Sequence, residues 1–382
     1  MLCAEHLCTG CGACRNACPK DAIIRCENEH GFLMPKIDGK RCVDCGLCEK
    51  VCPVIRPVQV NRQSQCFVSW CEDAQLRKTA ASAGVVSALM QKTLRDGGVV
   101  FGTRYCDGRL IVDYIEDETQ IPSFQGSKYV QADVGEAYRQ VKTFLEQGRS
   151  VLFPGTPCQI AGLRRYLGKE DEKLLTVDLV CHGITSGKYL REYIRHRKKD
   201  LTYDRVLFRG ECGEKLVAYH KNEAVWTEDK WQSPFYMAYA KGLIHRENCY
   251  HCPYASANRC ADLTAGDFWG INRAGLPKEA AGILYPSLVL ANTPKGAIAL
   301  VEADICSKEQ KFIAAVDGNK QLSAPCICHV EHDHFLKTYA NKGFYQALRG
   351  TAFFGRLKID IAKLRIWKAL NQLKHKIFNK RG

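Results

Sequence analysis

The fold of this chain is decided by two cysteine-rich stretches near its N-terminus, LCTGCGACRNACP at residues 7–19 and RCVDCGLCEKVCP at residues 41–53. In each stretch four cysteines follow the pattern C-x2-C-x2-C-x3-C-P, which holds cubane iron–sulfur clusters. Thiolates are soft ligands that suit such cubes, and the two-residue gaps let one tight loop place three sulfurs around a single cube. The two stretches therefore predict two 4Fe-4S clusters.

The ligands divide between the two clusters in a crossed manner, because in this double motif the fourth cysteine of each run ligates the other cluster. The predicted ligands of cluster I are Cys8, Cys11, Cys14 and Cys52. Those of cluster II are Cys42, Cys45, Cys48 and Cys18. Cys3 and Cys26 lie outside the motifs and are interpreted as bystanders. Zinc sites use four ligands in separated pairs, and disulfide frameworks belong to secreted chains, so neither alternative suits the pattern.

The composition is typical of a globular protein in a reducing compartment. The chain has 382 residues, 46% of them hydrophobic and 25% charged, which allows two or three domains. Its start, MLCAEHLCTG, lacks the charged-then-apolar pattern of a signal peptide, and no apolar stretch approaches the ~20 residues of a membrane span. The sequence therefore predicts a cytoplasmic location.

The formal net charge of +14 overstates the basic character of the protein. Each four-thiolate cubane carries about −2 when oxidised, so three clusters would lower the net charge to roughly +8. Much of the excess lies near the C-terminus, and no nucleic-acid-binding motif accompanies it. Nucleic acid is therefore not expected as a partner.

The order of the segments predicts the domain organisation. Residues 1–57 should form a bacterial-type dicluster ferredoxin module, with a hairpin between its two cluster loops. Beyond it, strand-like and helix-like segments alternate, which predicts an α/β (α+β) fold with parallel strands. We expect this second, mixed α/β domain to comprise residues 58–148 and 149–345, followed by a basic amphipathic helix over residues 346–382.

The C-terminal tail repeats apolar residues at helical spacing, with lysines and arginines between them. From Arg356 onward the apolar positions are Ile359, Ala362, Ile366, Leu370, Leu373 and Ile377. Such a helix could lie on an anionic membrane surface, at the inner face of the membrane, or dock a partner. Packing against its own domain is an equally good interpretation.

A third group of cysteines falls in the α/β part of the chain. Cys158 and Cys181 each follow a predicted strand and precede a predicted helix, so they should lie at the sheet edge where open α/β sheets bind ligands. The pair Cys249 and Cys252 could complete four thiolates for a third cluster, with Cys260 as a competing ligand. A zinc half-site or unpaired buried cysteines remain open alternatives on spacing alone.

One helix start has the composition of a phosphate site. Ser82 and Gly84 open a predicted helix whose free N–H groups would suit a phosphate. Small residues in this position are more often simple caps.

Six stretches together resemble one family. They are SAGVVSAL (82–89), GSKYVQAD (126–133), VLFPGTPCQIAGLRRYL (151–167), VDLVCHGITS (177–186), CYHCPYA (249–255) and ADLTAGDFWG (261–270). They are similar to the beta-subunit family of coenzyme F420 hydrogenase and dehydrogenase, here fused to an N-terminal dicluster ferredoxin module. The GDFWG version also resembles bacterial members that lie among polysaccharide-biosynthesis enzymes.

The resemblance implies FAD, an iron–sulfur cluster and particular site residues. Members of the family are flavoproteins that pass electrons between a two-electron carrier and one-electron clusters. The cysteines that match the family's cluster ligands are Cys158, Cys181, Cys249 and Cys252. The residues that fall on stretches similar to its flavin loops are Ser82, Gly84, Gly126, Ser127, Lys128, Tyr129, Gly155 and Thr156. Asp267 or Lys128 could act near the flavin.

The expected function is that of an iron–sulfur flavoprotein oxidoreductase. Electrons from ferredoxin or a reduced deazaflavin-like carrier would pass through 4Fe-4S clusters to FAD and a small-molecule or sugar-related substrate. The alternative is an electron-transfer subunit without its own substrate site, which serves a partner enzyme. A non-redox zinc protein is disfavoured by the two intact cluster motifs.

Overall fold

The N-terminal module consists of two cluster loops joined by a hairpin. In the computed structural model, which describes residues 2–61, 64–209, 213–272, 276 and 278–378, short helices α1 (Ala13–Ala17) and α2 (Leu47–Lys50) follow the two cysteine loops. Between them β1 (Ile23–Glu27) and β2 (Leu33–Ile37) pair antiparallel. The hairpin that the sequence predicts is confirmed.

A single mixed sheet of eight strands organises the rest of the chain. Its spatial order is β13-β3-β12-β11-β7-β6-β4-β5. The strands are β3 (Gln65–Cys71), β4 (Val99–Cys106), β5 (Arg109–Ile115), β6 (Val151–Gly155), β7 (Leu174–Leu179), β11 (Leu263–Asp267), β12 (Ser287–Ala291) and β13 (Ile305–Glu309). The neighbours β4, β6, β7 and β11 run parallel, as the alternating pattern predicts. Segments 58–148 and 149–345 both contribute strands to this sheet.

Helices cover both faces of the sheet, and a smaller sheet adjoins it. The remaining helices are α3 (Ala74–Thr79), α4 (Val85–Arg95), α5 (Ala137–Glu146), α6 (Pro157–Leu167), α7 (Gly187–Arg197), α8 (Pro234–Ala240), α9 (Lys278–Ala281), α10 (Pro294–Glu302), α11 (Phe312–Gly318), α12 (His332–Arg349) and α13 (Ala352–Phe378). The small antiparallel sheet contains β8 (Arg205–Leu207), β9 (Lys215–His220) and β10 (Glu223–Asp229). It packs with α7, α8 and α12 in an aromatic-rich core.

The ferredoxin module shares a core with the large sheet. Cys11, Ala13 and Val51 of the module are buried in the same apolar cluster as Tyr138 and Phe153. The Tyr138 hydroxyl lies 2.8 Å from the carbonyl oxygen of Cys11 and 2.8 Å from that of Gln159. The hydrogen bonds and the buried apolar surface therefore hold the module directly against α5 and α6.

The hairpin of the module meets α7 at Gly31, and the contact leaves no room for a side chain. Gly31 has φ +75°, and a Cβ atom built there would lie 2.3 Å from Cβ of Lys188 and 2.7 Å from Oγ of Ser186. We expect Gly31→Ala to destabilise the protein by about 2–4 kcal/mol, because strain at positive φ and overpacking add. Its melting temperature should fall in anaerobic circular dichroism. Gly39→Ala, with no atom within 4 Å, is the control and should change little. Equal melting temperatures for the two variants would contradict this packing.

The C-terminal helix α13 packs on the protein at its beginning. Phe354 and Leu357 are buried, whereas Ile359, Ile366 and Leu370 are 57%, 62% and 54% exposed. Among the helices that the structure describes, none combines the length and the hydropathy that crossing a bilayer requires.

Candidate iron–sulfur and flavin site

The four cysteines predicted for cluster I line one cavity, and a fifth cysteine joins them. Cys8, Cys11, Cys14 and Cys52 surround this cavity together with Cys3. Hydrogen bonding with Cys3 lowers the pKa of the Cys8 thiol to about 6 and that of the Cys52 thiol to about 6. The sequence interpretation of Cys3 as a bystander did not anticipate this position, since nothing in the spacing of Cys3 marks it.

The four cysteines predicted for cluster II line a second cavity, nearer the surface. Cys18, Cys42, Cys45 and Cys48 surround it, and the Ala22 N–H donates to Sγ of Cys18 at 3.2 Å. Cys45 is exposed. Exposed apolar side chains stand beside it, with Val43 57% and Leu47 37% exposed. By contrast Cys8 and Cys11 are each only 8% exposed, so the second cavity is the outer one.

The third group of cysteines gathers at the carboxyl edge of the large sheet. Strands β6 and β7 are neighbours, and Cys158 and Cys181 follow their ends, as the sequence predicts. Cys249 lies in a 3-10 turn at Glu247–His251, and Cys252 follows that turn directly. Burial raises the pKa of Cys158 to about 12 and that of Cys181 to about 11, and the charges of neighbouring thiols in the group add to both shifts.

Cys260 belongs to an apolar core cluster against which Cys158 and Cys252 pack. Its Sγ lies 3.4 Å from the carbonyl oxygen of Pro157 and 3.9 Å from Oδ2 of Asp178. Burial raises the pKa of Cys260, as does the charge of Asp178, and the contribution of Cys158 is smaller than either. The surroundings of Cys260 are those of a core side chain.

Within the described ranges no set of three or more His, Cys, Asp or Glu side chains is placed to hold a single metal ion.

The first and third groups adjoin each other through Cys11 and Cys158. The charge of Cys158 contributes to raising the pKa of Cys11, after burial, which is the main cause. A Cβ atom built on Gly162 of α6 would lie 3.0 Å from Sγ of Cys11, so the cluster I loop touches the helix that carries Cys158. The Thr156 hydroxyl lies 3.2 Å from Sγ of Cys158.

The loop at Ser82–Gly84 lies at the same sheet edge. The Ser82 hydroxyl donates to the carbonyl oxygen of Tyr285 at 3.2 Å, and the hydroxyl of Ser287, the first residue of β12, lies 3.1 Å from it. Gly84 has φ +81° and precedes α4 without a side-chain cap. The first N–H groups of α4 thus keep the capacity to bind an anion.

The loop at Gly126–Tyr129 is fixed by the chain on either side. The N–H of Ser127 donates to the carbonyl oxygen of Arg209 at 2.9 Å. The Lys128 ammonium donates to the carbonyl oxygens of Phe124, Gln125 and Gly126 at 2.9, 2.8 and 3.3 Å. Burial lowers the pKa of Lys128 to about 7, whereas the three carbonyl groups favour its charged form. All three donors of Lys128 therefore hold the loop.

Arg209 ties these loops to Asp267, and the sequence reasoning missed it. Its Nη2 donates to Oδ1 of Asp267, at the end of β11, at 2.9 Å. The guanidinium carbon lies 3.9 Å from the ring centre of Tyr285. Tyr129 stacks on Tyr239 with ring centres 4.8 Å apart. Only the folded chain brings Arg209 to this edge, since it sits next to a short strand of the other sheet.

Through Tyr239, on which Tyr129 stacks, the loop at Gly126–Tyr129 also connects to the third group of cysteines. The Tyr239 hydroxyl donates to the carbonyl oxygen of Gly183 at 3.0 Å, and the Gly183 N–H donates to Sγ of Cys181 at 3.4 Å. Gly155 is the last residue of β6, and Thr156 is the N-cap of α6, with which Gln159 forms a capping box. The predicted flavin loops and the third group of thiols thus share one edge of the sheet.

Comparison with known proteins agrees with the resemblance. The family model for the C terminus of the beta subunit of coenzyme F420 hydrogenase/dehydrogenase matches residues 148–312. A 4Fe-4S dicluster domain model matches residues 7–55. Among solved structures, a chain of the xenon-derivatised F420-reducing NiFe hydrogenase complex from Methanosarcina barkeri is similar, with 16% identity and a TM-score of 0.46 over 69% of this chain and 91% of that one. No curated protein matches the chain to a significant extent.

Proposed function

We propose that this chain is an iron–sulfur flavoprotein oxidoreductase of the cytoplasm. It belongs to the coenzyme F420 hydrogenase/dehydrogenase beta-subunit family and carries a 4Fe-4S dicluster domain at its N-terminus. The cysteines of cluster II and cluster I would hold cubanes that carry single electrons, with ferredoxin or a reduced deazaflavin-like carrier as the donor and a third cluster as the acceptor. The ligands of that third cluster are Cys158, Cys181, Cys249 and Cys252. Bound FAD supplies the exchange between one-electron and two-electron chemistry. The substrate is a small molecule, such as a sugar-related compound.

The observation that carries this proposal is the succession of three thiol groups from the surface to the sheet edge. The cavity of cluster II lies beside exposed Val43 and Cys45. That of cluster I is lined by buried Cys8 and Cys11. Cys11 in turn adjoins the helix that carries Cys158. The role of the protein is to hold these sites in line and to keep water from the inner ones.

The flavin assignment is supported by the loops at the same edge. Ser82, Gly84, Gly126, Ser127, Tyr129, Gly155 and Thr156 are proposed as residues that hold FAD. The uncapped start of α4 after Gly84 offers N–H groups to a phosphate. Lys128 would contribute by fixing the loop through its three carbonyl contacts. Arg209 would hold the Asp267 carboxylate in place at the end of β11.

The alternative, an electron-transfer subunit that serves a partner enzyme, is supported by α13. Ile359, Ile366 and Leu370 leave an apolar stripe exposed on this helix. Exposed apolar patches on soluble proteins often mark interaction sites. Docking of a partner protein or an anionic membrane surface on α13 would explain the stripe.

The test of the proposal is the iron, sulfide and flavin content of anaerobically purified protein, with its visible spectrum. About twelve irons and one FAD per chain would support three cubanes that serve a flavin. About eight irons and no flavin would overturn the oxidoreductase proposal and favour the electron-transfer alternative. Zinc in place of iron would overturn both.

Electron entry at cluster II can be tested with two cationic side chains near its cavity. Lys20 lines this cavity, Arg41 precedes Cys42, and both side chains are exposed. We expect the double variant Lys20→Glu, Arg41→Glu to lower the rate of reduction by an acidic ferredoxin about tenfold at low salt, because opposite charges accelerate encounter. Stopped-flow bleaching of the cluster absorbance measures the rate. Lys92→Glu, on the distant helix α4, is the control. An equal loss in the control, or no salt dependence, would argue against this entry point.

A further inference from the structure

Arg246 is a buried cation whose contacts are all neutral. Arg246 is only 3% exposed. Nε donates to the carbonyl oxygen of Cys8 at 3.0 Å, and Nη1 donates to the carbonyl oxygen of Leu33 at 3.1 Å and to Oε1 of Gln131 at 3.3 Å. Nη2 lies 2.7 Å from Sδ of Met34. In the part of the chain that the structure describes, these contacts include no carboxylate.

Two other buried arginines show what Arg246 lacks. The guanidinium of Arg259 donates to Oδ1 of Asp178 at 2.8 Å, and that of Arg209 donates to Oδ1 of Asp267 at 2.9 Å. A buried charge is expensive unless an opposite charge compensates for it. The buried charge of Arg246 therefore requires compensation by an anion other than a protein carboxylate.

The position of Arg246 indicates where that anion lies. Nε of Arg246 is bonded to the carbonyl oxygen of Cys8, and a Cβ atom built on Gly10 would lie 3.4 Å from Cζ of Arg246. On the other side, the Cys249 N–H donates to the carbonyl oxygen of Arg246 at 2.9 Å. The guanidinium thus lies against the cluster I loop, and the main chain of the same residue is bonded to Cys249 of the third group.

We propose that Arg246 is the shared counter-cation of cluster I and the third cluster, and that it raises the reduction potentials of both. This inference rests on the proposed three-cluster function. A four-thiolate cubane is anionic, and each added electron makes it more so, so a fixed nearby cation favours the reduced form. One cation beside both groups of thiols therefore shifts the potentials of the two clusters in the same direction.

Arg246 also joins the hairpin of the ferredoxin module to the sheet edge, so the test must separate charge from structure. Arg246→Gln removes the charge, and Arg246→Lys keeps it. Gln131→Glu leaves Arg246 in place but puts a carboxylate at the atom that now lies 3.3 Å from Nη1. This third variant is nearly isosteric and keeps the proposal testable if Arg246→Gln does not fold.

The measurement is the midpoint potential of each cluster, from redox titrations of the full-length protein followed by electron paramagnetic resonance. At the wild-type midpoint, we expect Arg246→Gln and Gln131→Glu to lower the ratio of reduced to oxidised cluster about tenfold for cluster I and the third cluster. Cluster II should stay unchanged, and Arg246→Lys should restore most of the wild-type value. Arg139→Gln is the control. Like Arg246, Arg139 donates to carbonyl oxygens of the module, those of Asn16 and Cys18, but its charge is already paired with the carboxylate of Asp21.

Unchanged potentials in Gln131→Glu and Arg246→Gln proteins that carry the wild-type amount of iron would overturn this inference and leave the proposed function standing. A similar shift in Arg139→Gln would overturn it as well. Failure of the proposed function has a different signature, because wild-type protein with only about eight irons would lack the third cluster from the start.

Discussion

Replacing Cys158 with alanine is expected to lower the iron content of anaerobically purified protein from about twelve atoms per chain to about eight, whereas Cys260→Ala should leave it unchanged. Cys158 stands at the start of α6, where the charges of Cys252 and Cys181 act on its thiol. Cys260 is buried, whereas Cys158 is half-buried, and the sulfur of Cys260 lies 3.4 Å from the carbonyl oxygen of Pro157. The two cysteines thus differ in their neighbours.

The two N-terminal clusters provide an internal reference for this experiment. None of the predicted ligands of cluster I or cluster II comes from α6, so the signals of both clusters should persist in Cys158→Ala protein. Loss of iron from Cys260→Ala, with retention in Cys158→Ala, would assign the ligand role to Cys260 instead. Loss of all twelve irons from Cys158→Ala would indicate general unfolding, which the circular dichroism spectrum would reveal.

The largest expected effect on stability comes from the ion pair between Asp178 and Arg259. Asp178 is fully buried, and Arg259 is 2% exposed. Oδ1 of Asp178 accepts hydrogen bonds from Nη2 of Arg259 at 2.8 Å and from the hydroxyl of Thr264 at 2.7 Å. Asp178→Leu would leave the guanidinium buried without its partner, which typically costs about 3–5 kcal/mol. We expect a large fall in melting temperature, measured by anaerobic circular dichroism.

A second substitution separates the loss of the partner from the loss of the pair. In the double variant Asp178→Leu, Arg259→Met both charges are gone, so much of the stability should return. Asp96→Ala, which removes the partner of Lys92 on the surface of α4, is the control and should cost less than about 1 kcal/mol. A double variant less stable than Asp178→Leu alone would show that the other contacts of Arg259 matter more than its charge.

The features that the sequence predicted well are those that short patterns specify. Both cysteine motifs, the hairpin between them and the strand-turn-helix units at Cys158 and Cys181 each depend on residues close together in the chain. Local spacing therefore carries most of the information about them. The neighbouring positions of β6 and β7 follow from the preference of consecutive α/β units to lie side by side.

The features that the sequence reasoning missed depend on distant parts of the chain. Cys3 reaches the cavity of cluster I through the packing of the N-terminus, and Arg209 reaches Asp267 from the other sheet. Arg246 is three residues from a cysteine motif, yet its guanidinium donates to Cys8 and Leu33 of the N-terminal module. The sequence around Gly126 also does not reveal where Lys128 will point. Its ammonium donates to the carbonyl oxygens of Phe124 and Gln125, which precede it in the chain.

The shared core of the ferredoxin module and the large sheet has a consequence for how electrons can travel. Cys11, Ala13 and Val51 are packed among side chains of the sheet layer. A module packed in this way is not held on a flexible tether. The spacing between the three groups of thiols is therefore set when the chain folds, so the proposed electron path needs no moving domain.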